Sequence, residues 1–206
     1  MTEVELWWGR IGQVRDEFAP DLDPVELGRL TAYVRAADKA RFLLGCTIVR
    51  RVLAARFSLP AASIRLDRTC PECGKPHGKV RAEGVELSVT HSGDLVGVAV
   101  SDRPVGLDVE KVDPDLDVDG LARISLSAAE TASLPRDGSR ALAFTTAWTR
   151  KEAVVKATGD GLRTDLRTIT GPPAGFQLLD LTTDPGYVGA LAIQSVEPPV
   201  LRTFRF

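Results

Sequence analysis

The sequence predicts an α+β protein of two similar halves, each a helix with a small sheet, and three features carry that prediction. Two long stretches with helical spacing, 38–57 and 139–158, lie in opposite halves of the chain. The apolar period shortens to two over 86–112 and again over 176–206, as strands require. Finally, 206 residues with 44% hydrophobic and 26% charged side chains suffice for one large or two small domains, whose core needs no disulfide staples.

Asp23 is a good N-cap, Pro24 fits a first turn and Glu26 completes a capping box, with Leu27, Leu30 and Val34 at helical spacing. A stronger helix is predicted from Asp38 to about Phe57, ending before Pro60. Leu44, Ile48, Val52 and Ala55 form its buried stripe, and Lys39, Arg41, Arg50, Arg51 and Arg56 its polar side. Ile64 to Leu66 reads as a short strand, followed by a loop from Cys70 to Lys79 dense in turn formers, Pro71 among them. Glu86 to Thr90 and Leu95 to Ser101 read as strands around a tight turn at Ser92–Gly93–Asp94, and Val105 to Val112 as a third. Pro104 and Gly106 mark the handover, giving an N-terminal half of 1–103 and a C-terminal half of 104–206.

The second half opens with an acidic loop, Asp113 to Gly120. Ser127 caps a short helix with Glu130 at its third position. The helix from Ser139 to Thr158 ends at Gly159, a residue suited to a left-handed cap. Phe176 to Leu181, Tyr187 to Ile193 and Val200 to Phe206 read as strands between Gly/Pro turns.

Composition excludes several functions. With 26 Lys+Arg against 28 Asp+Glu, the net charge of -2 argues against a nucleic-acid partner. No apolar run reaches the roughly 18 residues of a membrane span, and the start, with Glu3 and Glu5, has no secretory signal core. Cys46, Cys70 and Cys73 are expected as thiols and the protein as cytoplasmic.

Two clusters carry chemistry. In Val105-Gly106-Leu107-Asp108-Val109-Glu110, alternation sets Asp108 and Glu110 on one face and Leu107 and Val109 on the other. Alone that describes a polar strand face, but two neighbouring carboxylates repel, and a cation between them is the natural relief. On the long helix, Phe144, Ala147, Trp148, Val154 and Val155 define an apolar stripe that contains Lys151, a lysine that must snorkel or find an anion. Glu152 lies at the stripe's edge and Lys156 one turn further along the same side.

Val105 to Glu110 resembles the Gly-Ile-Asp-Xaa-Glu signature of 4′-phosphopantetheinyl transferases. Trp148-Thr149-Arg150-Lys151-Glu152-Ala153-Val154-Val155-Lys156 resembles their Trp-Xaa-Xaa-Lys-Glu-Ala-Xaa-Xaa-Lys signature. Leu87 to Ser92 is similar to the family's Ser-His-Ser strand end, and Cys73 to Lys79 to its Gly-Lys-Pro loop, although Val80 stands where the family has proline. The length and the Lys-Glu-Ala form resemble the surfactin-synthetase-activating (Sfp) type. The resemblance implies a monomer of two pseudo-twofold-related α+β halves with the active site in the cleft between them.

It also implies an activity, that of a holo-acyl-carrier-protein synthase. Such enzymes transfer phosphopantetheine from coenzyme A to a serine of an apo acyl or peptidyl carrier protein, as in polyketide or nonribosomal peptide synthesis, and release 3′,5′-adenosine bisphosphate. Mg2+, or Mn2+ as the alternative, would be held by Asp108, Glu110 and Glu152 with the pyrophosphate. Lys156, with Lys151, would stabilise the leaving phosphate, and Glu152 would accept the serine proton directly or through water, with a pKa lowered by the surrounding positive charge. The 3′-phosphate of coenzyme A asks for a separate cationic pocket, for which Arg41, Lys79 and His91 are the candidates by motif position, with the Thr90 hydroxyl donating to a phosphate oxygen. Arg123 and the segment 121–126 are the expected docking surface for an acidic carrier helix.

Three rival readings compete. Cys70, Cys73 and His77 could begin a zinc site, but only Cys46 or His91 could supply a fourth ligand, neither at a familiar spacing, so the pair reads as reduced cysteines in a turn. Asp115 to Gly120 matches the front of a calcium loop, but Leu126 occupies the place of the bidentate glutamate. An inactive homologue or metal-binding module that holds a carrier without transfer is opposed by the motifs, whose metal and lysine positions are all filled.

Overall fold

A computed structural model describes residues 1–70, 72–161 and 164–206. Pro71, one of the expected turn formers, lies outside the described residues. The fold is mixed α+β, and the chain divides into two compact units: residues 3–102 with 201–206, and residues 103–200 with 1–2. The terminal segments are thus exchanged, the last strand returning to the unit formed by the first.

In the first unit, β1 (Glu3–Arg10), β2 (Glu86–Ser92), β3 (Leu95–Ser101) and β7 (Val200–Arg205) form one sheet in the order β2-β3-β1-β7. Helix α1 (Pro24–Ala32) starts as its sequence dictates: the Asp23 carboxylate accepts from the Glu26 N–H at 2.8 Å and Pro24 fills the first turn. Helix α2 (Ala36–Phe57) lies on the sheet and buries Leu44, Ile48, Val49, Val52 and Leu53 with Leu87, Val96 and Val98. The predicted stripe requires two corrections, because the packed face is wider than one ridge. Ala55 is exposed, and Arg50, expected on the polar side, is wholly buried.

Arg50 is tolerated there because its donors are matched: it donates to Asp23 and Glu26, and to the carbonyls of Ala61 at 2.9 Å and Ile64 at 3.1 Å. Arg68 donates to the other Glu26 oxygen at 2.7 Å. A buried charge so satisfied is structural. The same bonds explain why 64–66 is no strand: its backbone follows a short 3-10 turn (Ala61–Ser63) and is held by an arginine instead of a neighbouring strand.

In the second unit, β4 (Val105–Lys111), β5 (Phe176–Leu181) and β6 (Tyr187–Gln194) pair antiparallel in the order β4-β6-β5. Helix α5 (Arg140–Thr158) lies on β4 and β6 and ends at Gly159, φ 78°. Small side chains, Ala153 and Ala157 against Ala190 and Ala192, bring helix and sheet close. Gly106 is the tightest point: a Cβ there would stand 2.0 Å from the Ala153 carbonyl oxygen and 2.3 Å from the Ala157 nitrogen. Only glycine permits this approach.

Before α5 come α3 (Val118–Ser125) and α4 (Ala128–Ser133). The acidic loop is therefore shorter than expected, because Asp117 accepts from the Gly120 N–H at 3.0 Å and caps α3. That role also accounts for the acidic run without calcium. Ser127 and Glu130 form the expected capping box of α4. No helix among the described residues is long and apolar enough to cross a membrane.

Candidate active site

The carboxylates of β4 owe their position to strand parity. Gly106, Asp108 and Glu110 share the face that meets α5, while Leu107 and Val109 fill the opposite side. Asp108 is 3% exposed, Glu110 half-buried at the strand's end. On α5, Glu152 and Lys156 are i,i+4 neighbours along the same border. Lys156 Nζ donates to Asp108 Oδ1 at 2.7 Å, so strand and helix motifs meet in one ion pair.

Glu152 stands within the field of that pair. Burial raises its pKa, the Asp108 charge raises it further and Lys156 opposes both. The sequence argument expected a lowered value; a half-buried carboxylate facing a second carboxylate and one lysine has the opposite balance. Among the described residues the three carboxylates are not drawn into a tight ligand cluster, since Lys156 takes the Asp108 oxygen. The donor set still fits a hard divalent cation: all three side chains offer oxygen, and the crowding of Asp108 on Glu152 is relieved by positive charge.

Lys151 corrects a prediction. It is 3% exposed, inside the apolar stripe as the sequence placed it. Its ammonium donates to Glu130 Oε2 at 2.7 Å and to the carbonyls of Leu166 and Ile169, both at 2.8 Å. An ammonium has three hydrogens, and these three acceptors use them all, so Lys151 has none for a phosphate. Sequence reasoning missed Glu130 as its anion, having identified it only as the helix cap.

The phosphate candidates of the first unit fall into two groups. Gly45 of α2 lies against Val89 of β2, a Cβ there being 3.4 Å from Val89 Cγ1. One turn back along the helix is Arg41, and two residues on along the strand, on the same face, is His91. Arg41 Nε donates to the Gly93 carbonyl at 2.6 Å and its NH1 to Asp38 at 2.6 Å, which fixes the guanidinium at the β2–β3 turn. Thr90 is buried and faces the other side of β2. Lys79 Nζ stands 3.5 Å from Glu86 at the start of β2, and burial lowers its pKa against the pull of Glu86. Glu86 and Ser92 are six residues apart, about 20 Å at roughly 3.3 Å per residue. Lys79 is thus set beside the first residue of β2 and Arg41 beside the turn that follows it.

Comparison with known proteins agrees with the motifs. Residues 104–195 match the family model of the 4′-phosphopantetheinyl transferase superfamily. The chain is 29% identical over 210 residues to the 4′-phosphopantetheinyl transferase HetI of Nostoc sp., covering 93% of this chain and 87% of HetI. It is 33% identical to the 4′-phosphopantetheinyl transferase psf-1 of Bacillus pumilus, over 65% of this chain and 56% of that protein. To the 4′-phosphopantetheinyl transferase Sfp of Bacillus subtilis it is 28% identical, over 71% of this chain and 64% of Sfp. The matches thus span less than two thirds of both Bacillus relatives. The strand and helix that meet at Asp108 and Lys156 lie inside the region that matches the 4′-phosphopantetheinyl transferase superfamily model.

Proposed function

We propose that this chain transfers 4′-phosphopantetheine from coenzyme A to a serine hydroxyl of an apo acyl or peptidyl carrier protein, with Mg2+ as its metal. The Asp108–Lys156 ion pair carries the reading, because it joins the two motifs on which a phosphate-transfer site depends. The serine oxygen forms a bond to the pantetheine-bearing phosphorus, the bridging P–O bond breaks, and 3′,5′-adenosine bisphosphate leaves with the bridging oxygen. Glu152 takes the serine proton, directly or through a water. Lys156 meets the charge that develops on the leaving phosphate, exchanging its Asp108 partner for substrate oxygen.

Asp108, Glu110 and Glu152 would hold Mg2+, which supplies charge neutralisation of the pyrophosphate when bound. Arg41 and His91 would bind the coenzyme's 3′-phosphate at the β2–β3 turn. Lys79 gives a second cationic contact beside Glu86, and Thr90 a hydroxyl on the strand face that Glu86 shares, opposite to His91. Residues 1–103 would thus supply coenzyme contacts, and residues 104–206 the metal and catalytic groups. Arg123, with the half-buried Leu121 and the 67% exposed Ile124 on α3, offers cationic and apolar surface to the carrier.

The test is the intact mass of an apo carrier after incubation with the protein and coenzyme A, with Mg2+ supplied or withheld. The expected result is a Mg2+-dependent gain of one phosphopantetheine, lost in Asp108→Ala and Glu152→Ala while both retain the wild-type circular dichroism. Full activity in either variant overturns the assignment of the site.

A further inference from the structure

The loop before β2 holds a second group of ligating side chains, outside everything used above. The ligand atoms of Cys70, Cys73 and His77 all lie within 4.8 Å of one another. Cys73 Sγ and His77 Nε2 are 3.0 Å apart. Around a tetrahedral zinc, with Zn–S of about 2.3 Å and Zn–N of about 2.0 Å, ligand atoms stand roughly 3.5–3.8 Å from each other. The three side chains are thus gathered at nearly coordinating distance.

The backbone shows why. The Gly74 N–H donates to the Cys70 carbonyl at 2.9 Å and the Cys70 N–H to the Lys75 carbonyl at 2.8 Å, a tight turn that Gly74 completes at φ 70°. The loop is closed at its base by the Asp67–Arg81 bridge, and the Gly78 N–H donates to the Arg68 carbonyl at 2.7 Å, which returns His77 towards the cysteines.

We propose that Cys70, Cys73 and His77 form a zinc site with three protein ligands and a fourth position open to water or an anionic oxygen. The soft sulfur and imidazole donors select zinc over the magnesium required by a carboxylate site. Cys46, which the sequence offered as a fourth ligand, is excluded: burial pushes its pKa to about 12, and it remains a buried thiol on α2. Binding releases the protons of the two thiols and ties the loop carrying Lys79 to a rigid tip. The site is independent of the transferase reading.

The test is zinc content by elemental analysis of the reduced full chain, after loading with Zn2+ and removal of excess. About one zinc per chain is expected, and Co2+ in its place should give thiolate-to-cobalt charge-transfer absorption. Cys73→Ser and His77→Ala should each lower zinc affinity at least about tenfold with unchanged circular dichroism, whereas Cys46→Ser should keep the full zinc content. No stoichiometric zinc in the reduced wild type overturns the site. So does zinc retained in the Cys70→Ser/Cys73→Ser double variant, or oxidation of the two cysteines to a disulfide in a protein that takes up no metal when reduced.

Discussion

Lys151 donates to the Glu130 carboxylate at 2.7 Å and so joins the cap of α4 to the middle of α5. The same ammonium holds the carbonyls of Leu166 and Ile169 at the 3-10 turn Leu166–Thr168. Two lysines of one motif therefore have different work: Lys151 is buried and internally satisfied, while Lys156 is partly exposed on the border that carries Asp108 and Glu152.

Lys151→Met is expected to lower stability by about 1.5–3 kcal/mol, the range for hydrogen bonds to a charged group, towards the lower end because Glu130 is partly solvated. The residual enzyme should keep its KM for coenzyme A. Lys156→Ala should do the reverse, leaving the unfolding midpoint nearly unchanged and abolishing transfer. Urea unfolding and steady-state kinetics on both variants check the division.

The Glu130 contact also sets a pH dependence. Burial raises the Glu130 pKa, but hydrogen bonds from Lys151 and Ser127 outweigh it and hold the carboxylate below its usual value. A carboxylate lowered in the folded state adds stability above its unfolded pKa, near 4.3, and loses it as the pH falls through the folded value. Glu130→Gln should therefore narrow the stability gap between neutral and acid solution. Unfolding midpoints in urea from about pH 7 to pH 3 measure it.

Local signals made the helices legible: the Asp23–Pro24–Glu26 cap, the Ser127–Glu130 cap and the Gly159 stop all stand where the chain wrote them. The parity of Asp108 and Glu110 was legible for the same reason, since a strand's period is fixed by its backbone. What was hidden depends on distant partners. Arg50 looked solvated because nothing nearby in sequence announces that Asp23 and Glu26, more than twenty residues away, will meet it. Strand β1 was missed because Glu3 and Glu5 drew attention to charge, while Val4, Leu6 and Trp8 alternate with them into the core. That Lys79 meets Glu86 while Arg41 meets Gly93 is a matter of tertiary path that spacing does not encode.

Gly106→Ala is expected to damage both stability and transfer. The new methyl would stand 2.0 Å from the Ala153 carbonyl, so β4 and α5 must part. Overpacking of this kind costs typically about 1–3 kcal/mol. Because Asp108 lies two residues along β4 and Lys156 three along α5 from Ala153, the 2.7 Å pair should open as well. A variant with wild-type kcat and a lowered unfolding midpoint would show that the site tolerates the shift.

Arg41 and Lys79 give the sharpest contrast for the coenzyme. If the Arg41–His91 end of β2 receives the 3′-phosphate, wild type should prefer coenzyme A over its 3′-dephospho form. Arg41→Ala should then lose that preference through a higher KM for coenzyme A alone, by about tenfold or more for the loss of a charged contact of 1.5–3 kcal/mol. Lys79→Ala, beside Glu86 at the start of β2, should raise KM for both compounds equally. Loss of discrimination in Lys79→Ala and not in Arg41→Ala would exchange the two assignments, and KM values with both coenzymes for the two variants decide it.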